Sequence, residues 1–138
     1  MIGYVTVGAD DIALAERFYA AFLPSLGYVL TVSSEGLSCA IPTTADDRLA
    51  PVDLHVKPPF DGLAASVGNG TMLAFRVPTQ PLVRELHAAA LAADGRNEGS
   101  PGFRDAYGPH FYVGYLRDPQ GNKIALYCNN RDEPERPG

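Results

Sequence analysis

Tryptophan is absent, cysteine and lysine occur twice each, and none of the 138 residues falls in a long unbroken apolar run. Each scarcity excludes something. A membrane-spanning helix needs roughly eighteen or more consecutive apolar residues, so none is expected. Lys57 and Lys123 are the only lysines, the arginines are scattered, and the net charge is -5. A polyanion therefore finds no basic stripe, which argues against nucleic acid and against an anionic membrane as partners. A cationic small molecule would be drawn weakly to such a surface. Cys39 and Cys128 make no disulfide framework, and the opening Met-Ile-Gly-Tyr-Val-Thr-Val lacks the basic start and apolar core of a secretion signal. The expectation is a cytoplasmic protein with reduced thiols. What is present is 46% hydrophobic content in a length suited to one soluble domain.

The chain resembles itself. Shifted by 68 positions, Tyr4 to Leu23 falls on Met72 to Leu91 and Gly27 on Gly95. Both halves read strand, polar break, amphipathic helix, glycine, which predicts an internal duplication. In the first half Asp10 or Asp11 caps a helix whose apolar side is Ile12, Ala15, Phe18, Tyr19 and Phe22. In the second, Thr79 caps, Pro81 sits in the first turn, and Leu82, Val83, Leu86, Ala90 and Ala93 form the stripe. Strands are predicted at 27–33, 37–41 and 52–57, with a polar loop over 43–51. One short strand is expected within 95–109, followed by a closing hairpin. The boundaries are a single domain over 1–130, with modules of about 1–60 and 70–130, and a flexible tail over 131–138.

Strand alternation assigns faces. The helices need an apolar sheet face, so Val5, Val7, Leu37, Cys39, Ile41, Leu54, Val56, Leu73, Phe75, Val77, Ile124, Leu126 and Cys128 belong beneath them. Their neighbours point the other way: Tyr4, Thr6, Ser38, Ala40, Asp53, His55, Met72, Ala74, Arg76, Ala125 and Tyr127. Asp118-Pro-Gln-Gly-Asn122 suits a type I turn with a glycine bulge, which sets Tyr115 opposite Ala125. Phe111, Val113 and Tyr115 then share the inner face, while His110 and Tyr112 do not.

These units, with Phe111-Tyr-Val-Gly-Tyr-Leu-Arg-Asp-Pro-Gln-Gly-Asn-Lys-Ile124 and the loop Ser100-Pro-Gly-Phe-Arg-Asp-Ala-Tyr107, resemble the vicinal oxygen chelate superfamily over almost the whole chain. That superfamily groups glyoxalase I, bleomycin resistance proteins, fosfomycin resistance enzymes and extradiol dioxygenases. The resemblance implies an α+β fold of two tandem β-α-β-β-β modules, a mixed sheet curled around a ligand cavity, and a homodimer. Metal-dependent relatives carry histidine on the first strand, histidine on its counterpart in the second half, and glutamate just after the hairpin turn. The positions matching that pattern are Tyr4, Met72 and Ala125, which replace neutral imidazole and carboxylate poorly. Asp53 and His55 are two possible ligands for a displaced metal, with no third evident. No cofactor is therefore expected.

The remaining inner chemistry is aromatic with polar tips. The ligand-binding candidates are Tyr4, His55, Met72, Arg76, Arg104, Tyr107, Tyr115, Ala125 and Tyr127. Arg76 can bind an anion or close a salt bridge. Five of the aromatics fall between Phe103 and Tyr115, which suits a stacking pocket, or a core that lacks tryptophan. Two readings of function follow. One is a metal-independent protein that binds a small aromatic or amphipathic molecule, as bleomycin resistance proteins shield their ligand. The other is a lyase, isomerase or dioxygenase-type enzyme that uses a non-standard metal or Tyr115, Tyr4 and His55 as acid-base groups.

Overall fold

In the computed structural model, which describes residues 1–43 and 50–138, the duplication becomes two sheets of the same topology. Strand β1 (Tyr4–Gly8), helix α1 (Ile12–Ala20) and strands β2 (Val29–Ser33), β3 (Gly36–Ala40) and β4 (Asp53–Lys57) form the first module. Strand β5 (Met72–Arg76), helix α2 (Gln80–Ala92) and strands β6 (Arg96–Phe103), β7 (Tyr112–Arg117) and β8 (Lys123–Cys128) form the second. The sheet orders are β1-β4-β3-β2 and β5-β8-β7-β6. In each, the first strand of the module lies parallel to the last, and the remaining pairs are antiparallel. This is the predicted arrangement of two β-α-β-β-β modules. Most of the polar loop predicted over 43–51 lies outside the described residues.

The helices start where short polar side chains can satisfy free amides. An Asp11 carboxylate oxygen accepts from the Leu14 amide at 3.0 Å, and the Thr79 hydroxyl accepts from the Leu82 amide at 3.2 Å. Ala15, Phe18, Tyr19 and Phe22 of the first half, and Val83, Leu86 and Ala90 of the second, are buried against the sheets. The two halves end their helices differently. In the first, a 3-10 turn over Pro24–Leu26 follows α1, and Gly27 closes that turn at φ 94°, the left-handed conformation expected of a capping glycine. In the second half that conformation falls on Asp94, at φ 70°. Gly95 serves space instead: a Cβ there would sit 2.7 Å from the Phe18 ring and from the Ala90 carbonyl oxygen.

Phe75 of the second module meets Phe22 and Tyr28 of the first in edge-on contacts at 5.8 and 6.0 Å, so one aromatic cluster spans both modules. The hairpin turn joins them as well. Asn122 donates to the Gly8 carbonyl oxygen at 2.9 Å, and the Gln120 side chain bridges the Asp10 amide and the Ala65 carbonyl oxygen. The turn has the predicted register, with Tyr115 opposite Ala125, Leu116 opposite Ile124, and Gly121 at φ 109°.

Two stretches differ from expectation. The strand expected within 95–109 is eight residues long, and its pairing with β7 slips twice, around Gly99 and between Gly99 and Gly102. Glycine and proline conceal this strand from a propensity reading while permitting the slips. The terminal segment, expected to fray, lies against the protein. Glu133 accepts from the Gln80 amide at 2.8 Å, and Gln80 donates to the Pro134 carbonyl oxygen at 2.7 Å. Arg136 donates to the carbonyl oxygens of Arg104 and Tyr107. Charged side chains that read as solvated in sequence thus satisfy a helix N-terminus and a loop. Among the described residues, no helix is long and apolar enough to cross a membrane.

Candidate functional site

The face of each sheet that carries a helix is buried, as the alternation requires: Leu37, Cys39, Leu54, Val56, Val77, Ile124, Leu126 and Cys128 are all closed to solvent. The opposite faces carry the candidate residues, and among the described residues five of them divide between two separate clefts instead of lining one.

The first cleft, of about 230 Å³, lies on the first module and is lined by Tyr4, Thr6, Glu35, Ser38, His55 and Lys57. Register explains the grouping: Tyr4 pairs with Asp53, Thr6 with His55, and Ser38 with His55 from the other side. The hydroxyl of Ser38 and Nδ1 of His55 are 3.0 Å apart, a hydrogen bond that fixes the imidazole. Tyr4 meets the His55 ring edge-on at 5.4 Å.

The second cleft, of about 520 Å³, lies on the second module and is lined by Glu98, Gly99, Arg104, Asp105, Tyr107, Tyr115 and Lys123. Its centre is the Tyr115 ring, which carries two cations: the Arg104 guanidinium at 5.5 Å from the ring centroid and the Lys123 ammonium at 5.1 Å. Burial raises the Tyr115 pKa, the neighbouring Tyr107 raises it further, and Arg104 pulls it down by less. Tyr115 is accordingly a neutral phenol at physiological pH.

A third group runs beside the second cleft. The Arg76 guanidinium donates to the Tyr127 hydroxyl at 3.3 Å and lies 5.8 Å from its ring centroid. Tyr127 stacks on Phe111 at 5.4 Å, and Phe111 meets Tyr107 edge-on at 5.3 Å. Among the described residues Arg76 closes no salt bridge, and its partner is Tyr127.

The candidates thus gather as Tyr4 with His55, as Arg104, Tyr107 and Tyr115, and as Arg76 with Tyr127. Met72 is 42% exposed and lines neither of these clefts, and Ala125 is 2% exposed. Lys123 and Ser38 complete the two clefts without having been singled out as site residues. Lys123 has the same strand parity as Ala125 and Tyr127, so continuing the alternation by one step reaches it. His87 is structural: its Nε2 lies 3.0 Å from the Tyr115 carbonyl oxygen, and its ring is buried under β7.

The donor set does not fit the divalent ion of metal-dependent relatives. Tyr4 and Met72 open β1 and β5, and Ala125 sits on β8 opposite Ala74. One phenol, one thioether and a methyl group do not make a hard three-ligand site. Among the described residues, no cluster of three or more histidine, cysteine, aspartate or glutamate side chains gathers anywhere. The equivalent of Ala125 in the first module is His55, since His55 pairs with Thr6 as Ala125 pairs with Ala74.

Paired β-α-β-β-β modules with their chemistry on the open sheet faces define the glyoxalase/bleomycin resistance/dioxygenase class of proteins. Comparison with known structures agrees. A glyoxalase/bleomycin resistance protein from Albidiferax ferrireducens T118 is 31% identical, with a TM-score of 0.77, over 94% of this chain and 99% of that one. The chain belongs to this family. A glyoxalase-related enzyme from Fulvimarina pelagi (20% identity, TM-score 0.68, 94% and 88% of the two chains) shares the fold. So does a glyoxalase/bleomycin resistance protein/dioxygenase family enzyme from Burkholderia phytofirmans PsJN (18% identity, TM-score 0.63, 93% and 98%). No family model and no curated protein matches the chain.

Proposed function

We propose that this protein binds a small aromatic or amphipathic molecule on the open face of its sheets, in the cytoplasm and without a divalent metal. The observation that carries the reading is the second cleft, where Tyr115, Tyr107, Arg104 and Lys123 set aromatic surface and hydrogen-bond donors around one hollow. Binding requires only shape, stacking surface and a few fixed polar groups, and this cleft supplies each. The residues at the family's metal positions favour a metal-free ligand site over metal chemistry. A thermal-shift screen of aromatic compounds tests the reading. A ligand whose affinity falls in a Tyr115→Ala variant supports it, and a ligand bound equally well by that variant counts against it.

The Ser38–His55 hydrogen bond favours a second reading, an enzyme of the same superfamily. Ser38 fixes the ring while Nε2 has no hydrogen-bond partner among the described residues, and histidine is the side chain that exchanges protons near neutral pH. Turnover of a bound compound that is lost in His55→Ala while binding persists would replace the binding reading with this one.

A further inference from the structure

We infer that the second cleft selects a flat aromatic ring bearing a carboxylate, an inference that rests on the binding reading above and names the ligand class. The argument begins with charge. Four charged side chains line the cleft: Arg104, Lys123, Glu98 and Asp105. Glu98 is already engaged, its carboxylate 3.1 Å from the Arg117 guanidinium. Among the described residues, neither Arg104 nor Lys123 forms an ion pair. Asp105 alone therefore stands against two cations, leaving one positive charge uncompensated in a protein whose net charge is -5. A monoanion fits that surplus, and the cationic ligand that the overall charge favours does not fit this cleft.

Donor geometry points the same way. A guanidinium has five N–H donors. Arg104 spends one on the Phe103 carbonyl oxygen at 3.1 Å and one on the Ser100 carbonyl oxygen at 2.8 Å. Those bonds hold the planar fork in place and leave three donors for a ligand. Lys123 has no hydrogen-bond partner among the described residues and adds a second cation beside the same ring. Fixed fork and free ammonium are the pair that recognises a carboxylate.

The aromatic part follows from the walls. Tyr115 and the half-exposed Tyr107 both line the cleft and give it aromatic surface. Gly99 shapes the gap: a Cβ there would meet the Tyr115 ring at 2.9 Å and the Arg104 guanidinium at 3.2 Å. The absence of a side chain at that position lets ring and guanidinium pack together against β6.

The test compares 2-naphthoate with its neutral counterpart 2-naphthalenemethanol and the cation 2-naphthylmethylamine, with binding followed by NMR at the amides of Gly99, Tyr115 and Lys123. Naphthoate should bind about tenfold more tightly than the alcohol, with the amine weakest, and its advantage should shrink as salt is raised. Lys123→Gln, which breaks no hydrogen bond among the described residues, should reduce the naphthoate-to-alcohol ratio. The double variant with Arg104→Gln should abolish it, with thermal melts confirming folding. Equal binding of naphthoate and the alcohol at these amides overturns the carboxylate inference while the binding reading stands. A preference that survives the double variant also overturns it, because the charge is then read elsewhere. If none of the three probes moves these amides at millimolar concentration, both readings fail for this cleft.

Discussion

The Tyr19 hydroxyl donates a 2.6 Å hydrogen bond to the Asp118 carboxylate, joining the helix of the first module to the hairpin turn of the second across 99 positions of sequence. The same carboxylate accepts from the amides of Gln120, Gly121 and Asn122 and from the Asn122 side chain. A turn motif that reads as local thus holds a buried junction. A charged acceptor bound this way contributes more than a neutral one, so Tyr19→Phe should cost about 1.5 to 3 kcal/mol in urea unfolding. Asp118→Ala, which strands several donors, should cost more. Equal stabilities for Tyr19→Phe and the parent would show that the junction carries no energy.

Alkali should destabilise the fold. Burial raises the Cys39 thiol from 9.0 to about 12, and burial followed by the Asp118 charge raises Tyr19 well above 10.0. Both groups release their protons more readily in the unfolded chain, so the unfolded state binds fewer protons as pH rises. Their contribution is complete below pH 9 and is lost progressively above it, first through Cys39 and then through Tyr19. Urea midpoints measured from pH 7 to 11 should fall above pH 9, and Cys39→Ala should flatten the first part of that decline.

Tyr115 and Phe18 separate pocket from core. Phe18 is fully buried, its ring 4.9 Å from Tyr19 and 5.3 Å from Phe22. Phe18→Ala should therefore cost about 3 to 5 kcal/mol of stability. Tyr115→Ala should cost less in stability, and should weaken an aromatic ligand by about 0.5 to 1.5 kcal/mol. A Tyr115→Ala protein as unstable as Phe18→Ala would make the open-face aromatics part of the core.

Purified protein is expected to carry no stoichiometric zinc, nickel, manganese or iron. Elemental analysis that finds one ion per chain, lost in His55→Ala, would overturn the metal-free reading and point to a site built around that histidine.

A homodimer is expected in solution. Among the described residues, strand β2 ends the first sheet with an unpaired edge on which Val29 and Val32 are 55% and 49% exposed, and Tyr4 is 67% exposed on the open face. Such edges and apolar rims are surfaces that a symmetric partner covers. Light scattering should give twice the chain mass, and a monomer at high micromolar concentration would argue otherwise.

The sequence determined by itself what depends on local period. Alternation and helical spacing assign faces to the strand and helix residues, and a shift of 68 exposes the duplication because two copies of one folding pattern bury the same positions. Register places Tyr4, Met72 and Ala125 on the inner face, and the family resemblance marks those positions as departures from a metal site. Tertiary structure decided what depends on distance between elements. That Tyr4 and Tyr115 line separate clefts, that the loop residue Arg104 reaches the Tyr115 ring, and that Asp118 reaches Tyr19 are consequences of how strands, loops and modules pack. No period in the chain encodes them, because each joins residues whose separation in sequence is unrelated to their separation in space. The tail that holds Gln80 and the loop around Tyr107 belongs to the same class: its charges look solvated until the groups they satisfy are brought beside them.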